Sequence, residues 1–217
     1  MYHYIQDKNY LKRLRSTCSD IVNQLVQVIN NDSIVKVRAC LVGSGAKNLV
    51  TQNANQPIDF DFNIIIVNAK SINIRSCREI KEYVRKQFNK VLNKNGWGDC
   101  QDSTSALTTE KRVFQSGDKI SFSIDLAITY RNKHGWHRLI HRKTGVVASD
   151  EYYWNEVPNS MQLEKKVDAI KSRHLWNEVK DTYLDKKNFY LRRNDDAHPS
   201  FIVYIETVNQ ICDKHHI

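Results

Sequence analysis

The sequence predicts an α+β protein that ends in helices, and three observations carry that prediction. Residues 58–67 and 119–130 alternate apolar and polar side chains with the period of two that a strand imposes. Residues 8–30 and 75–93 repeat apolar side chains at three- and four-residue steps, which is the stripe of an amphipathic helix. From Asn159 onward only the helical period remains.

In order, Leu11, Leu14, Cys18, Ile21, Val22, Leu25 and Ile29 form the buried stripe expected of the first helix. Asn30 to Ser33 breaks it, and Ile34 to Val42 is a β-rich run that stops at Gly43. One helical turn over 45–50 and a loop over Thr51–Pro57 are expected before the strand 58–67. Ile80, Val84, Phe88, Val91 and Leu92 face inward on the second helix, which Gly96-Trp97-Gly98 ends. The Ser- and Thr-rich stretch 101–114 reads as an exposed or edge strand, followed by a turn at Ser116-Gly117-Asp118. Residues 136–140 and 146–157 read as a hairpin around Arg142-Lys143-Thr144-Gly145. Leu163 to Lys187 has a helical period, and Pro199 suits the first turn of a last helix whose buried stripe is Phe201, Ile205, Val208 and Cys212. The expected division is residues 1–158, a sheet domain with an N-terminal helix, and residues 159–217, a helical subdomain.

At 217 residues the chain is long enough for one good core or one core with a small second lobe. Its 7 Gly and 3 Pro leave little material for a flexible linker. No apolar run reaches the roughly 20 residues of a membrane span, and the start of the chain lacks the layout of a signal peptide, so a cytoplasmic protein is expected. Five scattered cysteines without a CxxC pair fit reduced thiols and argue against structural zinc. The net charge of +9 favours a polyanionic partner or substrate. Residues 70–95 hold eight Lys or Arg against Glu79 and Glu82, and residues 131–143 hold Arg131, Lys133, Arg138, Arg142 and Lys143 with no acid. The plain alternative for both clusters is a solvated face.

The informative residues are carboxylates. Asp59 and Asp61 project from one side of their strand, with Phe60, Phe62, Ile64 and Ile66 on the other. Asp125 stands between Ile124 and Leu126 on the face opposite the apolar alternates of its own strand. If the two strands are neighbours, three carboxylates meet on one face, an arrangement that repels itself unless hard divalent cations sit there. Two such ions serve in-line phosphoryl displacement, one activating the attacking hydroxyl and one holding a triphosphate. Just upstream, Gly43 lets the backbone approach a phosphate without a Cβ, and Ser44 offers an N–H and a hydroxyl.

A Gly-Ser turn after a strand, then Asp59-Phe60-Asp61, then a third Asp between apolar neighbours resembles the DNA polymerase β-like nucleotidyltransferase superfamily. The resemblance spans residues 34–130. It implies a nucleotidyltransferase palm, a mixed sheet backed by helices, with Gly43 and Ser44 at the triphosphate and two Mg2+ ions (Mn2+ as a substitute) on Asp59, Asp61 and Asp125. Ser200-Phe201 near the start of a late helix is similar to the helical lobe of the oligoadenylate and cyclic dinucleotide synthases. The spacer 45–58 is longer than in compact members, and Gly45-Ala46-Lys47-Asn48 replaces the arginine-glycine pair of the minimal antitoxin type.

Other candidates have plainer explanations. His134, His137 and His141 suggest zinc by spacing, but a solvated basic strand is the expected reading. Lys165, Lys166, Lys171, Ser200 and Tyr204 are candidates for holding phosphates, against the alternative of surface lysines on an amphipathic helix. Tyr152, Tyr153 and Trp154 suit stacking on a base or a place in the core. The function expected is transfer of a nucleoside monophosphate from an NTP to an acceptor hydroxyl, with Asp125 nearest the acceptor. An RNA end, a second nucleotide, a small molecule and a protein side chain all remain open as acceptor. The rival expectation is a non-catalytic nucleic-acid-binding or toxin–antitoxin-type protein on the same scaffold.

Overall fold

The chain is described by a computed structural model covering every residue except 70, 116, 117, 119, 158–160 and 196, with the backbone alone at Met161. Its first half runs β1 (Tyr2–Tyr4), α1 (Lys8–Asn31), β2 (Val35–Leu41), α2 (Gly43–Lys47), β3 (Thr51–Asn53), β4 (Ile58–Ala69) and α3 (Cys77–Lys94). The second half runs β5 (Gln101–Asp102), β6 (Leu107–Thr108), β7 (Phe122–Asn132), β8 (Gly135–Arg142), β9 (Glu151–Glu156), α4 (Met161–Ser172), α5 (Trp176–Arg192) and α6 (Ser200–His215). The chain divides into two compact units, one of residues 7–48 and 57–158, the other of residues 1–6, 49–56 and 159–217. The expected turn at Ser116-Gly117 and the expected boundary between residues 158 and 159 lie outside the described residues.

The larger unit is a seven-stranded mixed sheet in the order β2-β4-β7-β6-β5, with β8 added to β7 and β9 to β8. β2 lies antiparallel to β4, and β4 lies parallel to β7. The two central strands are apolar on alternate positions, so one face of the sheet buries Phe60, Phe62, Ile64, Phe122, Ile124, Leu126 and Ile128. The helices contribute Leu14, Cys18, Ile21, Val22, Leu25 and Ile29 from α1, and Ile80, Val84, Phe88, Val91 and Leu92 from α3. Asp7 caps α1 by accepting the Tyr10 N–H at 2.9 Å. The opposite face of β4 and β7 carries Asp59, Asp61, Asn63, Ser123 and Asp125.

Three local expectations fail here. The 101–114 stretch forms the two-residue strands β5 and β6 and an isolated bridge from Arg112 to Phe122 rather than one continuous strand. Residues 147–149 make a 3-10 turn, so β9 starts at Glu151 although Val146 and Val147 are β-branched; both are exposed and have no sheet face to pack on. The helical turn after β2 begins at Gly43 rather than residue 45.

In the smaller unit α5 and α6 pack together and α4 packs on α6, around a core of Leu49, Ile170, Val179, Tyr183, Val203, Tyr204, Val208, Ile211 and Cys212. Residues 51–53 are a strand, β3, paired with β1 rather than a loop. The buried stripe of α6 is turned from the expected one: Phe201 is 57% exposed, whereas Thr207 is buried and its hydroxyl donates to the Val203 carbonyl at 2.7 Å. No helix among the described residues is long and apolar enough to cross a membrane.

Candidate active site

Strand pairing brings the three expected carboxylates together. In the parallel β4–β7 register Asp61 stands directly opposite Asp125, and Asp59 opposite Ser123. Burial pushes the Asp61 carboxyl up to about 6, and the negative charges of Asp125 and Asp59 add to that, against the opposing pull of Arg138 and Lys47. Asp125 is also pushed up by burial and by Asp59, while the hydrogen bond from Thr108 pulls it back.

Gly43 is fixed by this cluster. It follows β2 with φ +63°, and a Cβ there would lie 2.2 Å from Oδ2 of Asp61. The adjacent Val42 N–H donates to the Asp61 carbonyl at 2.8 Å, which ties the turn to the carboxylate strand. The glycine is thus required first by Asp61, before any phosphate is considered. Ser44 follows it in α2, and Lys47 Nζ reaches back to the Gly43 carbonyl at 3.4 Å.

The carboxylate face continues along the sheet. Asn63 follows Asp61 on its side of β4, and Arg138 of β8 pairs with Thr129, on the Asp125 side of β7. Among the described residues, Oδ1 of Asn63 and Nε of Arg138 are buried without a hydrogen-bond partner. Neither was singled out as a site residue from the sequence, because Arg138 counted only as one charge in a basic run. Ser123 and Thr108 were missed for a similar reason: a hydroxyl on an alternating strand looks solvent-facing until its neighbour across the sheet is known. Ser123 Oγ donates to Asp59, and Thr108 Oγ1 donates to Asp125 at 2.5 Å.

Among the described residues no three His, Cys, Asp or Glu side chains close on a single metal position. What fits a divalent cation is the chemistry of the face: three hard oxygen donors side by side, two of them raised by burial and further by neighbouring carboxylate charge. Asp59, Asp61 and Asp125 are the residues that would hold it.

Three of the remaining candidates, Lys165, Ser200 and Tyr204, belong to the smaller unit. Lys165 is exposed on α4, Ser200 is exposed at the start of α6, and Tyr204 is 4% exposed within the core of the smaller unit. Lys166 binds Asn209 at 2.7 Å and Lys171 lies over Trp176. A cavity of about 320 Å3 in that unit is lined by Ser200, Lys187, Tyr2, Tyr190, Asn194 and His198, among others, but not by Lys165 or Tyr204. Lys187 is the cation there; burial lowers it to about 8, and its Nζ donates to Thr51 Oγ1 at 2.9 Å and sits 3.8 Å from the centre of the Tyr2 ring. The three histidines do not converge. His137 stacks on Tyr130, His134 is exposed, and His141 is 5% exposed, held between Asp102 at 2.8 Å and Asp150 at 3.0 Å. The expected solvated strand is therefore wrong at His141, where two carboxylates compensate burial. Tyr152 stacks on His141, and Trp154 Nε1 donates to the Ile74 carbonyl at 2.7 Å.

No protein-family profile and no curated protein matches the sequence. Solved structures do match. E. coli MS115-1 CdnC with ATP superposes with a TM-score of 0.61 at 13% identity, over 95% of this chain and 61% of that one. The Elizabethkingia meningoseptica CdnE cyclic dinucleotide synthase with GTP and Apcpp gives 0.53 at 12% identity, over 90% of this chain and 68% of that one. The chain thus spans about three fifths of the length of CdnC. The mixed sheet with its backing helices thus gives this chain the fold seen in CdnC and in the CdnE cyclic dinucleotide synthase.

Proposed function

We propose that the chain is a divalent-metal-dependent nucleotidyltransferase that moves a nucleoside monophosphate from an NTP to an acceptor hydroxyl and releases pyrophosphate. The observation that carries this reading is the opposition of Asp61 and Asp125 across two parallel strands, with Asp59 beside them and Gly43 against Asp61. Divalent cations held by these carboxylates would stabilise charge on the phosphoryl oxygens and acidify the attacking hydroxyl. Asp125, whose carboxyl is raised by burial, would take the proton of that hydroxyl as the new O–P bond forms and the bond to pyrophosphate breaks. Ser44 binds the triphosphate through its N–H and hydroxyl, and Arg138 supplies a fixed positive charge on the same face. Lys187 and Ser200 line the cavity of the helical unit and are the groups there suited to phosphate oxygens.

The likeness to CdnE supports the hydroxyl of a second nucleotide as acceptor. The +9 charge supports a second reading, a protein that binds nucleic acid without turnover. Thermal unfolding with ATP or GTP separates them. The enzyme reading expects stabilisation that needs Mg2+ and is lost in Asp61→Asn, whereas a bare nucleic-acid binder shows no Mg2+-dependent response to an NTP.

A further inference from the structure

The two outer carboxylates of the cluster are each tied by a hydroxyl from the next strand, and the central one is not. Parallel pairing sets Ser123 opposite Asp59, and Ser123 Oγ donates to Asp59 Oδ1. Antiparallel pairing of β6 with β7 sets Thr108 opposite Asp125, and Thr108 Oγ1 donates to Asp125 Oδ1 at 2.5 Å. The next residue, Thr109, is buried and accepts the Ile124 N–H at 2.9 Å through its own hydroxyl, so the short β6 is pinned where Thr108 is needed. Ser123 is itself only 3% exposed, so its hydroxyl has little room to turn elsewhere. No side chain among the described residues donates to Oδ2 of Asp59, to Oδ2 of Asp125, or to either oxygen of Asp61.

We propose that Ser123 and Thr108 are positioning residues that commit one oxygen of Asp59 and of Asp125, so that each outer carboxylate presents a single oriented oxygen to a divalent cation while Asp61 presents both. This rests on the metal-dependent reading above. A charged carboxylate that accepts a strong hydrogen bond is held in one rotamer and is easier to keep ionised beside its neighbours. Partners that orient metal ligands in this way typically carry 10- to 100-fold of metal affinity. Two residue types with no charge would thereby set the affinity of a site built from three charges.

The test is Mn2+ binding to the full chain, measured by electron paramagnetic resonance, with unfolding midpoints in EDTA to show that each variant is folded. Thr108→Val keeps the shape and Ser123→Ala removes one oxygen. Each is expected to weaken Mn2+ binding about tenfold, Thr108→Ser is expected to restore it, and Asp61→Asn is expected to abolish it. If Asp61→Asn abolishes binding while Thr108→Val and Ser123→Ala bind Mn2+ as well as or better than the parent, the positioning role is overturned and the metal-dependent reading stands. If the parent binds no Mn2+, or binds it equally in Asp61→Asn, the metal-dependent reading itself fails and takes the positioning role with it.

Discussion

Replacing Asp61 by Asn keeps the shape of the side chain and removes a charge that the fold disfavours. The folded carboxyl stands at about 6 against an ordinary 3.8, raised by burial and by Asp125 and Asp59. At 1.36 kcal/mol per pKa unit that difference corresponds to about 3 kcal/mol. Because the group keeps some contact with solvent, about 2 kcal/mol is the expected gain of the variant at pH 7.5 without metal. The sign follows from linkage: a folded pKa above the unfolded one means stability that is full below about pH 4 and lost as pH rises through about 6. Parent and variant should therefore be equally stable near pH 4 and separate progressively up to pH 7. Urea unfolding in EDTA across that range measures the gap, and a chain of this size should show about 4–8 °C in its thermal midpoint. A variant no more stable than the parent at pH 7.5, or a gap that does not change with pH, would refute the burial and neighbouring charge that raise Asp61.

Gly43→Val should place Cβ where Asp61 Oδ2 now lies and force a left-handed φ on a β-branched residue, so Mg2+-dependent nucleotide binding is expected to disappear, as read by thermal shift. Ser44→Ala should weaken NTP binding by about 1–2 kcal/mol, the worth of a hydrogen bond to a charged group, and unchanged affinity by calorimetry would place the triphosphate elsewhere. Lys187→Met should remove a rise in stability between about pH 8 and pH 10.5, because a lysine lowered in the fold stabilises only as it loses its proton; paired denaturation curves check this. For nucleic acid, the charge to neutralise is on α3, where Lys86, Lys90 and Lys94 are exposed at four-residue steps. Changing the three to Gln should reduce the log–log salt slope of RNA binding by about 2, and a flat salt response in the parent would remove nucleic acid as a partner.

That choice of residues differs from the one the sequence suggests, and the difference shows where sequence reasoning stops. The 131–143 run reads as a free basic cluster, yet the charge of Arg138 acts on the Asp61 carboxyl, Arg142 pairs with Glu151 at 3.4 Å, and Lys143 donates to the Asp102 carbonyl. Charge counts do not reveal which cations are already engaged. The palm was legible because its central strands alternate without interruption and their carboxylates break the apolar pattern at Asp59, Asp61 and Asp125. β3 was not, because Thr51-Gln52-Asn53 has no apolar alternation and its partner, Tyr2–Tyr4, lies about fifty residues away. Lys187 was hidden in the same way: besides Tyr183, one turn away on α5, its burial depends on Tyr2 and Thr51, which only the tertiary fold brings to α5. The turn of the α6 stripe had a local cause, since Thr207 satisfies its own hydroxyl on Val203 and can be buried, which frees Phe201 to the surface.

The central claim is nucleotidyl transfer at the Asp59–Asp61–Asp125 face, and α-labelled NTPs test it most directly. The parent chain, incubated with Mg2+, all four NTPs and a mixed pool of RNA ends and nucleotides, is predicted to transfer label to an acceptor and release one pyrophosphate per transfer. Asp59→Asn and Asp61→Asn are predicted to do neither while remaining folded. Label transfer that persists in both variants, or a parent that releases no pyrophosphate with any NTP and acceptor, would contradict the account.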